Sequence, residues 1–287
     1  MSPARKLQND IAAQSLVMVP GAPDALSARL VEKAGFAAVY MTGFGATASR
    51  LGTPDIGLLS QTEMTTHARD MARAVSIPII ADADTGYGGP SNIHRTVREY
   101  IQAGVAAIHL EDQEAPKRCG QMAGIRLMDI ERSAELLLCA IDARGGDDLL
   151  IIARTDALPA AGADEAVRRS DRYRDAGADF VFVDGIKSIA EVETVARRIE
   201  GPKVVSIVDG NETTALSADD LQELGFCIAL YAVTTLFSAT RAMSNVLATL
   251  KHSGRSEHDP GTMVSYDEFC DLVDLNFHRQ LDDRFGA

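Results

Sequence analysis

The chain has 287 residues, 46% of them hydrophobic and 24% charged, a balance that suits a globular chain with a large core and excludes disorder, collagen and coiled coil. Its 28 basic against 41 acidic side chains leave a net charge of −13, a field that repels phosphate backbones and anionic lipid and so excludes nucleic-acid and membrane partners. The first twenty residues break every apolar run with a charge or an amide, so they predict neither a signal peptide nor a membrane span, and a cytoplasmic location is expected.

Eight short apolar runs read as strands in chain order: LVMV from Leu16, AAVYMTG from Ala37, PIIADAD from Pro78, AAIHLED from Ala106, then LLIIARTD, DFVFVDG, KVVSIVD and CIALYA. Between most of them lie stretches of helical period, at residues 24–34, 63–74, 92–103, 164–176 and 190–199. Four junctions, KAGFAAVY, QAGVAAIHL, DAGADFVFV and ELGFCIALY, repeat one pattern, a glycine where a helix ends and a buried strand after it. The runs are apolar on nearly every residue, as parallel strands covered on both faces are. Eight such units predict a (β/α)₈ barrel in one domain, with the barrel over about residues 1–252. A doubly wound sheet is disfavoured, because no GxGxxG turn follows the first strand and no linker breaks the chain.

Residues 253–287 are predicted to form a connection, within HSGRSEHDPG, and an additional C-terminal helix from Ser265 with Glu268 completing a capping box. That helix would carry Phe269, Leu272, Val273 and Leu281 on its apolar side, packing on another subunit or on its own barrel. Three of the four cysteines, Cys139, Cys227 and Cys270, sit in apolar runs and read as small core hydrophobes.

Barrels of this kind draw their reacting groups from the carboxyl ends of the strands. Those ends supply Tyr40, Thr42, Gly43 and Phe44, then Asp82 and Asp84, Glu111 and Asp112, Arg154 and Asp156, Asp184, and Asp209. One such acid is usually a helix cap, but acids on five successive strands would repel each other unless a cation neutralised them. All-oxygen donors from Asp82, Asp84 and Glu111 point to Mg²⁺, or Mn²⁺, rather than zinc. Arg154 reads either as an internal ion-pair partner of Asp156 or Glu111 or as a fork for a substrate carboxylate. Metal and arginine together suit a small 2-hydroxy or 2-keto acid.

The segment 113–127, QEAPKRCGQMAGIRL, is long for a strand-to-helix turn and is a lid candidate. Lys117 and Arg118 beside Cys119 are expected to lower its proton affinity, so that the thiol serves as an acid or a base near neutral pH.

The ordered motifs YMTGFGATAS, PDIGLLS, ADADTGYG, HLEDQ, PKRCG and IIARTDA span almost the whole chain. It resembles the isocitrate lyase and phosphoenolpyruvate mutase superfamily, and its PKRCG loop looks like the carbon–carbon lyase branch, which includes methylisocitrate lyases, dimethylmalate lyases and the petal death protein. The resemblance implies Mg²⁺-dependent retro-aldol cleavage to pyruvate or glyoxylate plus a carboxylate. It also implies Asp82, Asp84 and Glu111 at the metal, Thr42, Gly43 and Phe44 around a keto-acid carboxylate, and Arg154 on the oxygens at the metal. Cys119 would protonate the departing carbanion, positioned by Lys117 and Gly120, while Tyr40 and Asp55 serve as supporting polar groups or proton relays. Homotetramers with exchanged tail helices are common in the family. The alternatives are an oxaloacetate decarboxylase or hydrolase and, less favoured by the cysteine loop, a phosphonopyruvate-type enzyme.

This chain also departs from the family pattern. Gln121 stands where lyases carry His or Arg, and Asp184 and Asp209 are shortened versions of glutamates. Phe237 and Tyr266 stand where methylisocitrate lyases place arginines, and each lost charge-assisted fork weakens binding by about 1.5–3 kcal/mol. The expected substrate is therefore a 2-hydroxydicarboxylate such as a substituted malate, or oxaloacetate, rather than a tricarboxylate.

Overall fold

The computed structural model describes residues 1–256 and 261–286; residues 257–260 of the tail connection lie outside the described residues. Among the described residues, eight strands run β1 (Val17–Ala22), β2 (Val39–Met41), β3 (Ile79–Asp82), β4 (Ala107–Glu111), β5 (Leu150–Thr155), β6 (Phe180–Val183), β7 (Lys203–Ile207) and β8 (Ile228–Tyr231). Each pairs in parallel with the next, and β8 returns to β1 with Val17 opposite Ile228, so the sheet closes into the expected barrel. The helices of this part are α1 (Pro3–Gln14), α2 (Ala25–Lys33), α3 (Gly43–Leu51), α4 (Gln61–Ala74), α5 (Pro90–Ala103), α6 (Ile130–Arg144), α7 (Ala157–Ala161), α8 (Ala163–Asp175), α9 (Ile189–Arg198) and α10 (Ala218–Glu223).

The repeated glycines act as read from the sequence. Gly35, Gly104, Gly177 and Gly225 have φ of +87°, +87°, +99° and +80°, the left-handed region where a side chain is strained. Helix starts are set just as locally: Ser60 with Glu63, Ser188 with Glu191 and Ser217 with Asp220 form capping boxes at α4, α9 and α10.

Strand side chains alternate between two faces. One buried cluster takes Val19, Tyr40, Ile80, Ile152, Phe182 and Leu230 from inside the barrel, and Leu7 of α1 joins it. Their strand neighbours Met41, Ile79, Ala81 and Ile151 pack outward in a second cluster with Met64, Val97 and Leu137 of the surrounding helices. Continuing this alternation past the ends of the apolar runs decides which acids enter the barrel mouth.

The chain divides into two compact units, Met1–Thr234 and Thr235–Ala287, of which the first holds the barrel. The helix α11 (Thr234–Ser253) starts at the last residue of the first unit. Sequence spacing predicts one tail helix; the structure holds two, α12 (Tyr266–Leu272) and α13 (Leu275–Phe285), separated where Asp274 takes a φ of +55°. Ser265 and Glu268 do form the expected capping box. Cys139 and Cys227 pack half-buried against core clusters, and all four cysteines are free thiols.

Candidate active site

The alternation of β3 sends Ile80 and Asp82 to one side, and Asp84 follows in the turn just past the strand end. Asp82 and Asp84 are buried, and the Asp84 backbone N–H donates to Asp82 Oδ1 at 2.9 Å. Asp84 takes a φ of +47°, and Gly86, Tyr87 and Gly88 follow with positive φ, so the DTGYG segment is a tight left-handed turn. Such strained backbone persists where surrounding structure fixes it, commonly at functional sites. Gly86 fits for a further reason: an added Cβ would lie 1.9 Å from Ile93. Burial pushes both carboxyls up, and they separate by neighbours. Asp82 ends near 2, because His109, Lys117 and Arg154 outweigh the burial, whereas Asp84 rises to about 6 under burial and repulsion from Asp82 and Asp55. His109 is itself neutral at physiological pH, so Lys117 and Arg154 carry the stabilising charge there.

Lys117 brings the lid to this pair. Its buried ammonium lies 2.7 Å from Asp84 Oδ1 and 2.7 Å from Asp55 Oδ1. The acids around it, Asp84 and Glu111 foremost, outweigh the cost of burial and keep it charged. The lid neck is held by the Glu114 N–H on the Arg126 carbonyl at 2.8 Å and an antiparallel bridge from Gln113 to Leu127. The Gln113 side chain then brackets Arg118, accepting from its N–H at 2.9 Å and donating to its carbonyl at 2.7 Å. A cleft of about 480 Å³ opens beside the lid, with Ser60, Asp84, Tyr87, Pro116 and Lys117 in its wall.

The structure corrects the expectation for Cys119. Its thiol is pushed up to about 11 by burial and by Asp184, not lowered by its basic neighbours. The ammonium of Lys117 is spent on Asp55 and Asp84, and Arg118 turns Nη1 to the Ala123 carbonyl at 3.3 Å. Cys119 is therefore a thiol at neutral pH, suited to giving a proton and unsuited to taking one. The next residue, Gly120, presses on the acids beneath: an added Cβ would stand 2.5 Å from Asp184 Oδ2 and 2.6 Å from Asp156 Oδ1.

Arg154, buried at the end of β5, gathers those acids. It donates to Asp156 through Nε at 3.1 Å and Nη2 at 2.9 Å, and Nη2 also lies 2.6 Å from Asp184 and 3.3 Å from Glu111. Of the two sequence readings, the internal ion pair with Asp156 is formed; Nη1 takes no part in these pairs. Phe182 lies 5.6 Å below the guanidinium.

On the opposite side of the mouth, Thr42 caps α3 by accepting from the Gly45 N–H at 3.3 Å, which sets Gly43 and Phe44 in the first helical turn. The first N–H groups of a helix lack intrahelical partners and favour an anion. A Cβ on Gly43 would stand 2.3 Å from Asp82 Oδ2, so only glycine lets the helix start lie against that acid. Tyr40, below, shares a 2.9 Å hydrogen bond with His109 Nε2, and burial followed by Asp82 keeps it a phenol.

Two rim acids go elsewhere. Asp112 has the opposite strand parity to Glu111 and is saturated by Thr155 Oγ1 at 2.7 Å, the Asp156 N–H at 3.0 Å, Arg169 at 2.9 Å and Tyr173 at 2.8 Å, so it ties the strand ends to α8. Asp209 accepts from Thr234 Oγ1 at 2.6 Å and joins none of the ion pairs described. Phe237 and Tyr266 belong to the second unit and are exposed. Sequence reasoning missed His109 and gave Asp156 no role of its own beyond a pairing with Arg154. Two-residue spacing on β4 was the available signal for His109, since it puts that ring on the same face as Glu111.

The donor set fits a hard divalent cation. Asp82, Asp84 and Glu111 are buried oxygen donors, and although Glu111 lies 3.3 Å from Arg154, neither of its carboxylate oxygens has a hydrogen-bond partner. Leaving such a group unsatisfied is costly, and a cation or its water would satisfy it. Among the described residues no three of His, Cys, Asp and Glu are placed to hold a metal ion together, and Mg²⁺ does not require three, because it keeps several waters and takes one or two carboxylates.

Comparison with known proteins places this geometry. The profile of the phosphoenolpyruvate phosphomutase family matches residues 7–251. The 2,3-dimethylmalate lyase of Eubacterium barkeri is 40% identical over 287 residues, covering 100% of this chain and 99% of its own. The chloroplastic carboxyvinyl-carboxyphosphonate phosphorylmutase of Arabidopsis thaliana is 40% identical over 277 residues, covering 95% of this chain and 82% of its own. A solved structure of oxaloacetate acetylhydrolase with the inhibitor 3,3-difluorooxalacetate matches with a TM-score of 0.92 at 33% identity, covering 100% of this chain and 98% of that one. With its closed barrel, its acid-lined mouth and these likenesses along its full length, the chain belongs to the phosphoenolpyruvate phosphomutase family, within the phosphoenolpyruvate mutase/isocitrate lyase superfamily.

Proposed function

We propose that this protein is a Mg²⁺-dependent carbon–carbon lyase that cleaves a small 2-hydroxydicarboxylate of the substituted-malate class into pyruvate or glyoxylate and a second carboxylate. The observation that carries this reading is the position of the half-buried Cys119, whose thiol is pushed up and so keeps its proton at neutral pH, on the lid next to Gly120, which packs on Asp184 and Asp156. A retro-aldol reaction needs an acid at that place. The 2-hydroxyl gives up its proton, which passes to Asp55 through the proposed relay. The O–H electron pair forms the C2=O bond as the bond between C2 and C3 breaks, the C2–C3 pair goes to C3, Cys119 Sγ–H delivers a proton there, and the hydroxyl proton returns to the thiolate so formed.

Asp82, Asp84 and, through water, Glu111 would hold the metal, which when bound supplies the positive charge that stabilises the developing oxyanion. Thr42, Gly43 and Phe44 would receive the keto-acid carboxylate at the start of α3, and Arg154, with Asp184 beside it, would steady the substrate oxygens. Lys117 would hold the lid closed over them. Tyr40 and Asp55 would serve as supporting polar groups or proton relays, and Asp209, two residues past β7, would complete the proposed substrate-binding set. The 40% identity to 2,3-dimethylmalate lyase supports the substrate class, as do the uncharged Phe237 and Tyr266.

A second reading, hydrolysis or decarboxylation of oxaloacetate, is favoured by the likeness to oxaloacetate acetylhydrolase. It uses the same metal and carboxylate sites and leaves Cys119 without a task. The likeness to a phosphorylmutase keeps phosphonate chemistry as a third, less supported reading. A panel of 2-hydroxy and 2-keto diacids with Mg²⁺, followed by release of pyruvate, glyoxylate or oxalate, tests the proposal. Alkylmalates should be turned over best; faster cleavage of 2-methylisocitrate than of any alkylmalate, or turnover confined to oxaloacetate, contradicts it.

We also propose assembly as a homotetramer through the second unit, supported by α11, α12 and α13 burying no residue while exposing Leu247, Tyr266, Phe277 and Phe285. Among the described residues no helix is long and apolar enough to cross a membrane. Four free thiols suit a reducing compartment, the cytoplasm in this proposal.

A further inference from the structure

His109 has no place in the chemistry above, yet it is fully buried inside the barrel directly between two groups that do. Its Nε2 shares the 2.9 Å bond with Tyr40, and its Nδ1, buried and without a hydrogen-bond partner, lies 3.6 Å from Asp82 Oδ1. The ring is wedged against Tyr40 at 5.7 Å and against the edge of Phe182 at 5.8 Å between centroids, so it has little freedom to turn.

We propose that His109 is a positioning residue that orients Asp82 for the metal. This rests on the reading that Asp82 is a metal ligand. A neutral imidazole carries one N–H, and the neighbours choose its place. If Nε2 carried it, Nδ1 would turn a lone pair on a carboxylate oxygen at 3.6 Å, which is repulsive. With the hydrogen on Nδ1, Tyr40 donates to Nε2 and Nδ1–H faces Asp82 Oδ1. That oxygen already accepts from the Asp84 N–H at 2.9 Å. The Asp84 N–H then holds Oδ1 by a hydrogen bond and Nδ1–H faces the same oxygen at 3.6 Å, an electrostatic contact longer than a hydrogen bond, which leaves Oδ2, the oxygen against Gly43, to be presented to a cation. Carboxylate ligands are commonly steadied in this way, and losing such a partner weakens metal binding about 10–100-fold.

Calorimetric titration of Mg²⁺ alone into wild type, His109→Phe and His109→Asn tests the inference, with metal-free melting recorded for each. His109→Phe keeps bulk and loses the donor, so its Mg²⁺ dissociation constant should rise roughly 10–100-fold, with metal-free melting within a few degrees of wild type. His109→Asn, which retains an N–H near the Nδ1 position, should restore most of the affinity. An unchanged dissociation constant in His109→Phe overturns the inference while leaving the lyase reading intact; absence of Mg²⁺ binding by wild type itself overturns that reading instead. Nitrogen-15 NMR of histidine-labelled wild type decides the matter independently of how the variants fold: hydrogen on Nδ1 of His109 supports the assignment, and hydrogen on Nε2 overturns it.

Discussion

Lys117 Nζ lies 2.7 Å from Asp84 Oδ1, so a residue of the lid is ion-paired to the acid two residues past the end of β3. The same ammonium reaches Asp55, and all three side chains are buried. Removing the cation therefore strands two acids in a low-dielectric mouth. In Lys117→Met, unfolding by denaturant without metal should show a loss of about 3–5 kcal/mol, the usual cost of breaking a buried pair, and Mg²⁺ should recover part of it by neutralising Asp84. Diacid cleavage should fall by roughly 100-fold or more, as a lid that no longer closes admits water. Unchanged stability in the absence of metal would refute the clamp.

Gly120→Ala makes a sharper steric prediction. The backbone there is not in a glycine-only conformation, so any effect comes from the added methyl, 2.5 Å from Asp184 and 2.6 Å from Asp156. The lid must rise or the acids must move. We expect cleavage to drop roughly 100-fold, the scale reached when a reacting group is displaced by about an ångström, with limited proteolysis of residues 113–127 becoming faster. Wild-type turnover in this variant would show that the lid is not held against the acids.

For Cys119 the sign of the shift gives the pH dependence. Its pKa moves from an ordinary 9.0 up to about 11, so the native state keeps the proton that an unfolded chain would lose, and stability declines as pH rises from about 9 to about 11. Alkylation by iodoacetamide, which needs the thiolate, should be slow at pH 8 and climb with a midpoint near 11, as read by mass spectrometry of the Cys119 peptide. A midpoint near 8 would restore the base role for this residue. Cys119→Ser, a far weaker acid, should lose roughly 10²–10⁴-fold in diacid cleavage while any oxaloacetate decarboxylation stays within a few-fold of wild type.

The barrel was legible because each of its signals is local. A glycine at positive φ ends α2, α5, α8 and α10, and the alternation of apolar side chains can be followed residue by residue into Asp82, Glu111, Arg154 and Asp184. Asp112 was read with the rim because strand ends count residues and not faces; its actual partners, Arg169 and Tyr173, come from a helix 57 and 61 residues away. The thiol is not legible from its neighbours for a related reason. Lys117 and Arg118 adjoin Cys119 in the chain, but the charge that it feels most comes from Asp184 on another strand, while Lys117 faces Asp55 and Asp84. Sequence neighbours fix composition around a group, and only the closed sheet fixes its field.

The most direct test of the central claim is anomalous diffraction from crystals soaked in Mn²⁺, standing in for Mg²⁺. A peak bonded to Asp82 or Asp84, with Glu111 turned toward it, is the predicted result. No peak at the barrel mouth, with Asp84 still bound to Lys117 and Arg154 still closed on Asp156, Asp184 and Glu111, would mean that protein cations alone balance these acids and that the metal-assisted cleavage proposed here does not occur.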